Sequence, residues 1–280
     1  MISSEADPED APDPRQAVSQ RQPAPVLWAK KTWPEIEALG RTPPHMVILP
    51  LGTTEQHGRH LPVDVNIKNC WEIAREVSAL TGVPLLPPLP YGDSRYWEEW
   101  PGTLTLQPET LLQVILEISD GVVSSRFRRL LLLNGHIGNG PALAITEGKI
   151  RNRHPQLQVR ALSWWDVSER VAAALYQDAI EGTLRSFHAN CGETSVYLTH
   201  SPQLVDLRQA VDEPQGYQRP QFSYHSRKLT ESGVIGQPTI ATADQGRRIF
   251  DMVVEDLAEF VRKSAHEEPP LDVWGIAHGN

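Results

Sequence analysis

Thiols are scarce in this chain: Cys70 and Cys191 are the two cysteines in 280 residues, too few for a disulfide-stapled secreted scaffold or a thiolate zinc site. A cytoplasmic, reducing compartment is the expectation. Positive charge is also in deficit. Lys and Arg number 26 against 35 Asp and Glu, for a net charge of −9, which argues against a chain built to neutralise nucleic-acid phosphates. Neutral or cationic small molecules fit better. The stretch from Met1 to Pro25 is rich in Pro, Asp, Glu, Gln and Ser and has no apolar run, so it reads neither as a signal peptide nor as a membrane anchor. Residues 1–26 are expected to form a disordered tail. No internal period repeats, which excludes solenoids and propellers.

What is present is an ordinary globular composition, 40% hydrophobic and 22% charged, in which short apolar runs alternate with segments of helical period. That alternation predicts an α/β fold: a three-layer α/β/α architecture with a mostly parallel central sheet. The expected strands are Met46–Gly52, Val83–Pro87, Arg129–Asn134 and Leu157–Trp164. Helices are expected over Trp71–Leu80, Pro108–Val123, Asn139–Arg153, Val167–Gln177, Gly192–His200 and Gln245–Lys263. Leu207–Leu229 lacks a clear period and predicts an irregular excursion. The division is one catalytic domain over 27–265 and a C-terminal extension over 266–280, where Leu271, Val273, Trp274 and Ile276 suit docking on the domain or on a neighbouring subunit.

In open parallel sheets, ligands sit beyond the carboxyl ends of strands, so polar residues after apolar runs carry the functional signal. After the first strand comes Gly52-Thr-Thr-Glu55-Gln56-His57-Gly58-Arg59-His60, with Asp64 and Asn66 shortly behind. After the third comes Asn134-Gly-His136-Ile-Gly138-Asn139, where glycines let the backbone turn tightly and aim His136 over the sheet edge. A further cluster, His188-Ala-Asn190-Cys191-Gly192-Glu193, opens a helix. One histidine beside a glycine is usually a turn residue, and one Glu at a helix start is usually a dipole partner. Three such clusters on one side of a sheet are harder to attribute to coincidence. Their oxygen and nitrogen donors suit Zn, Mn or Fe.

These segments, together with Trp100-Pro-Gly-Thr-Leu-Thr105 and Gly233-Val-Ile-Gly-Gln-Pro-Thr-Ile-Ala-Thr242, resemble the creatininase, or creatinine amidohydrolase, family over roughly Val47 to Arg262. The resemblance implies a divalent metal centre of one or two ions and hydrolysis of a C–N bond, often in cyclic or formyl amides. It implies Glu55 and His136 on one metal, His57 and Glu193 on the other, and His188 beside the substrate as a proton carrier. It also implies a homo-oligomer, hexamers being common. At the position of a bridging Asp this chain has Asn66, which offers one carbonyl oxygen and no charge. Three possibilities stay open: Asn66 binds an ion weakly, Asp64, with His188 a candidate catalytic residue, substitutes for it along an extended strand, or one metal is present. Trp97 stands where relatives often carry a His, so Trp97 and Trp100, with Trp165, are candidate substrate-binding residues. The alternative readings are a metal-dependent hydrolase or isomerase of a cyclic ketone or sugar derivative, and a decayed family member that binds without catalysis.

Overall fold

The computed structural model describes residues 23–176, 188–213 and 222–268. Most of the expected tail, Gln177 of one expected helix, part of the Leu207–Leu229 excursion and residues 269–280 of the extension lie outside them.

Among the described residues three parallel strands form the sheet: β1 (Met46–Leu51), β2 (Arg129–Asn134) and β3 (Gln158–Ser163), in the order β1-β2-β3. Their register pairs Leu51 with Asn134 and Asn134 with Ser163. All three carboxyl ends therefore lie along one edge of the sheet. On the other side of β1, the expected strand at Val83–Pro87 appears as isolated parallel bridges, Ile48 to Leu85 and Leu51 to Leu89. Proline explains the difference. Pro84, Pro87, Pro88 and Pro90 have no N–H to donate, so ladder bonds alternate around them, with Ile48 N–H on Pro84 O (3.0 Å) and Leu86 N–H on Ile48 O (2.9 Å). Beyond this segment Leu85 donates to Val26 O at 2.8 Å, so backbone pairing already involves the last residue of the expected tail.

Seven helices cover the sheet among the described residues: α1 (Trp33–Arg41), α2 (Val65–Thr81), α3 (Pro108–Ser124), α4 (Gly140–Arg153), α5 (Glu169–Leu175), α6 (Cys191–His200) and α7 (Ala243–Ser264). Alternate strand residues feed two cores. Ile48, Leu131 and Leu133 join Ile73, Val77, Val196, Val253 and Leu257 on the α2, α6 and α7 face. Val47, Leu49, Leu130 and Leu132 join Leu111, Ile115, Leu143 and Ile150 on the α1, α3 and α4 face. This period-two division makes the three layers, as the sequence predicts.

Helix α2 begins well before the expected Trp71, and this corrects one sequence expectation. Asp64 occupies its N-cap with φ −98° and ψ 9°, and Lys68 N–H bonds to Asp64 O at 2.8 Å. Asn66 is thus on the first helical turn, so no extended strand carries Asp64 toward the place of Asn66. Helix α5 is shorter than expected, opening where the Ser168 hydroxyl accepts from Val171 N–H at 3.3 Å. No helix among the described residues is long and apolar enough to cross a membrane.

Candidate metal centre

The loops leaving β1 and β2 and the start of α6 bring buried donors to one place. Glu55, His57, Asn66, His136, His188 and Glu193 are each at most 7% exposed. Glu55 Oε2 lies 3.4 Å from His136 Nε2, Glu55 Oε1 lies 3.5 Å from His188 Nδ1, and His57 Nε2 lies 3.8 Å from Glu193 Oε1. The five donors and Asn66 therefore converge. Glu55, His57 and His188 form the tightest group, each offering a ligand atom within 4.8 Å of the others.

Backbone carbonyls hold the imidazoles. His57 Nδ1 donates to Glu55 O at 2.9 Å, His188 Nε2 to Gln56 O at 2.7 Å and His136 Nε2 to Asp93 O at 2.9 Å. A ring nitrogen bound to a carbonyl must carry the proton, which leaves His57 Nε2 and His188 Nδ1 as lone pairs turned toward carboxylates. Such an arrangement repels itself unless a proton or a cation lies between. Glu55 Oε2 and His57 Nε2 have no hydrogen-bond partner despite complete burial, a costly condition for polar atoms. Burial raises the Glu55 carboxyl above its ordinary value, against the pull of His136 and His57. Burial lowers His57, but the Glu193 carboxylate outweighs it and the net shift is upward. His188 falls well below the ordinary histidine value through burial and the nearby His57, and is neutral at neutral pH. Buried carboxylate and imidazole atoms with unused lone pairs suit a divalent cation.

Local structure fixes the remaining donors. Asn190 caps α6 by accepting from Glu193 N–H at 2.9 Å, while Glu193 Oε2 accepts from Ala189 N–H at 2.8 Å. One oxygen of Glu193 is used on the backbone and the other faces His57. At Gly138 an added Cβ would lie 2.3 Å from Asp93 O and 2.5 Å from His136 Nε2, so only glycine allows the turn that brings His136 to that carbonyl. Asn66 behaves unlike a carboxylate. Its Nδ2 lies 2.8 Å from Thr53 Oγ1, 3.1 Å from His136 Nδ1 and 3.4 Å from Glu55 Oε1. With Nδ1 accepting from Asn66 and Nε2 bound to Asp93 O, both nitrogens of His136 are engaged.

Not every expected site residue gathers here. Asp64 accepts the Tyr197 hydroxyl at 2.8 Å and lines no part of the pocket above the donors. Trp100 does not line the pocket either but sits next to Trp97, ring centroids 6.4 Å apart: its Nε1 donates to Ser226 Oγ at 2.9 Å and its ring lies 4.3 Å from the Arg227 guanidinium carbon. Trp97 and Trp165 do line the pocket, a cavity of about 280 Å³ that also includes Asp93, His136, His188, Glu193 and Ile235. Trp97 stacks on His188, with ring centroids 3.8 Å apart and planes inclined by 21°. Sequence reading gave no role to Gln56. Its Oε1 accepts from Gly58 N–H at 2.9 Å and its Nε2 donates to Gly233 O at 2.9 Å, 3.0 Å from His188 Nε2. Its place between Glu55 and His57 was the available signal.

An α/β/α sheet carrying buried carboxylates and imidazoles at its carboxyl edge is a class of fold with a candidate metal site, and comparison with known proteins specifies the family. The family model "Creatinine amidohydrolase" matches residues 29–261. A creatinine amidohydrolase of Pseudomonas putida is 30% identical over 88% of this chain and 98% of its own. A mycofactocin precursor peptide peptidase of Mycolicibacterium smegmatis is 32% identical over 78% of this chain and 85% of its own. Among solved structures, a manganese creatininase superposes with a TM-score of 0.76 at 26% identity, covering 87% of this chain and 100% of that one, and a Zn-Zn type creatininase mutant matches with the same TM-score. The chain belongs to the creatininase family and is a hydrolase.

Proposed function

We propose that this chain is a metal-dependent hydrolase of an amide or related C–N bond in a small, neutral or cationic substrate. The observation that carries this reading is the pair of buried, unpartnered atoms Glu55 Oε2 and His57 Nε2, which face the pocket-lining residues His136 and Glu193. Glu55 and His57 would hold the ion, with Glu193 beside His57, while His188 Nδ1, 3.5 Å from Glu55 Oε1, stays free to carry a proton. A divalent cation there supplies Lewis-acid polarisation of a carbonyl and acidifies water. The single-ion reading rests on Asn66, whose amide engages His136 where a carboxylate would bridge. Zn, Mn and Fe all remain compatible with these donors, and the similar structures include manganese and zinc forms.

The protein's own groups supply the rest. Gln56 O fixes the His188 tautomer, so Nδ1 is the atom that takes up or delivers a proton. Neutral His188 enters as a proton acceptor, and it becomes the donor to a leaving nitrogen only after it has been charged. Trp97 and Trp165 wall the cavity and exclude water, while Asp93 is neutralised by Arg95 at 2.8 Å. A cavity of about 280 Å³ favours a compact group over a long chain. Relatives at 30% and 32% identity are named amidohydrolase and peptidase, which favours C–N hydrolysis over the ring-ketone and decayed-member readings. A cytoplasmic homo-oligomer, hexameric as the resemblance implies, completes the proposal.

The test is metal analysis of purified protein together with hydrolysis of cyclic amides, N-formyl amines and short peptides before and after chelation. About one ion per chain, with turnover lost on chelation and restored by one metal, is expected. Full turnover in chelated, dialysed protein would refute the reading.

A further inference from the structure

At the amino end of the sheet, away from the donors, a groove of about 560 Å³ lies between β1–β3, the end of α4 and the end of α7. Its apolar wall includes Met46, Leu131, Val159 and Phe260. Strand β3 pairs with β2 on one side and with nothing on the other among the described residues. Alternate backbone groups of Gln158–Ser163 are therefore free to receive another strand. Its first residues are more exposed than any in β1, whose six residues are all buried.

We propose that Leu271–Ile276 of the same chain docks along this free edge and covers the groove. Three observations favour that occupant. First, the chain is delivered there: Arg129 Nη2 donates to Glu267 O at 2.8 Å while its Nη1 holds Pro44 O at 3.0 Å, and Glu267 itself lines the groove. Second, the following residues have suitable chemistry. Pro269-Pro270 cannot extend α7, and Leu271, Val273, Trp274 and Ile276 supply apolar side chains over a stretch as long as β3, about 20 Å when extended. Third, charge is complementary. Arg151 and Arg160 line the groove without an ion pair among the described residues, and the incoming segment carries Asp272, Glu268 before it already facing Arg129 at 3.8 Å. Because Glu267 is already at the rim, the tethered segment has a high local concentration and outcompetes a second copy.

Backbone hydrogen exchange at Gln158–Ser163 tests the docking in the full chain, in a truncation after Glu268 and in the full-length L271D/V273D variant. Exchange at least about tenfold faster in both variants is expected, with metal content unchanged. Equal exchange in all three would overturn the proposal, and the double variant decides if the truncation fails to fold. The source of the segment is read from Q158C/V273C treated with a short bis-maleimide, both native cysteines being buried. An intramolecular link supports the same chain; a link between copies, or none, overturns it.

Discussion

Restoring a carboxylate at Asn66 should convert the site from one ion to two. Asn66 Nδ2 is 3.4 Å from Glu55 Oε1, so in metal-free N66D a new carboxylate there meets Glu55 with a repulsion of about 5 kcal/mol at an effective dielectric of about 20. Metal-free N66D should therefore melt below the parent protein or take up a proton. The same negative charge attracts each unit of cation charge about 4 Å away by about 4 kcal/mol, again before desolvation. If only a third of that survives, about 1.4 kcal/mol, affinity for the added ion rises about tenfold. His136 is also released, because a carboxylate cannot donate to Nδ1 as the amide does. Equilibrium dialysis with metal quantification should count about one ion per parent chain and about two per N66D chain, with the larger metal-dependent rise in melting temperature in N66D. Two ions in the parent, or no gain in the variant, would refute the argument that Asn66 blocks the second position.

Chelation should destabilise the parent as well, since burial without an ion leaves Glu55 and His57 unsatisfied. A site saturated to about 100-fold over Kd contributes about 2.7 kcal/mol, and a melting temperature unmoved by chelator and metal would count against any ion there. Trp97→Phe should alter the ranking of substrates and the pH profile of kcat, because Trp97 stacks on His188. Trp100→Phe, with Trp100 one ring further from His188 and outside the pocket lining, should change both less than Trp97→Phe does, and steady-state kinetics on the same panel separates the two. Burial raises the Glu213 carboxyl, but hydrogen bonds from Ser232 and Thr230 outweigh it and hold it below its ordinary value. That stabilisation is present above the unfolded carboxylate value, about 4.3, and is lost as pH falls through the lower folded value. Glu213→Gln should cost on the order of 1 kcal/mol near neutrality after allowance for solvent screening, with the difference vanishing in acid. A denaturant midpoint difference that persists at low pH would contradict it.

Much of the layered fold is legible in sequence because it is written in local periods. The runs Met46–Leu51 and Arg129–Asn134 are apolar without alternation, as strands covered on both faces must be. The segment around Leu85 is less legible because its prolines interrupt a ladder that its neighbour nevertheless completes. The start of α2 is hidden because Asp64, Val65 and Asn66 show no helical stripe of their own. Donor types and their clustering after strands are likewise visible. The fate of Asp64 and Trp100 is not, since each is decided by a distant partner, Tyr197 for one and the Ser226–Arg227 turn for the other. Ring orientation is equally nonlocal. Nothing near His136 in sequence announces that Asp93 O will accept a hydrogen bond from its Nε2–H.

Anchoring imidazoles on main-chain oxygens has an evolutionary consequence. A side-chain anchor vanishes with one codon change, whereas the carbonyls of Glu55, Gln56 and Asp93 survive any substitution that keeps the backbone path. The surrounding aromatic residues can then diverge while the tautomers below them persist. One inherited cage can in this way pass between lineages that process chemically different molecules.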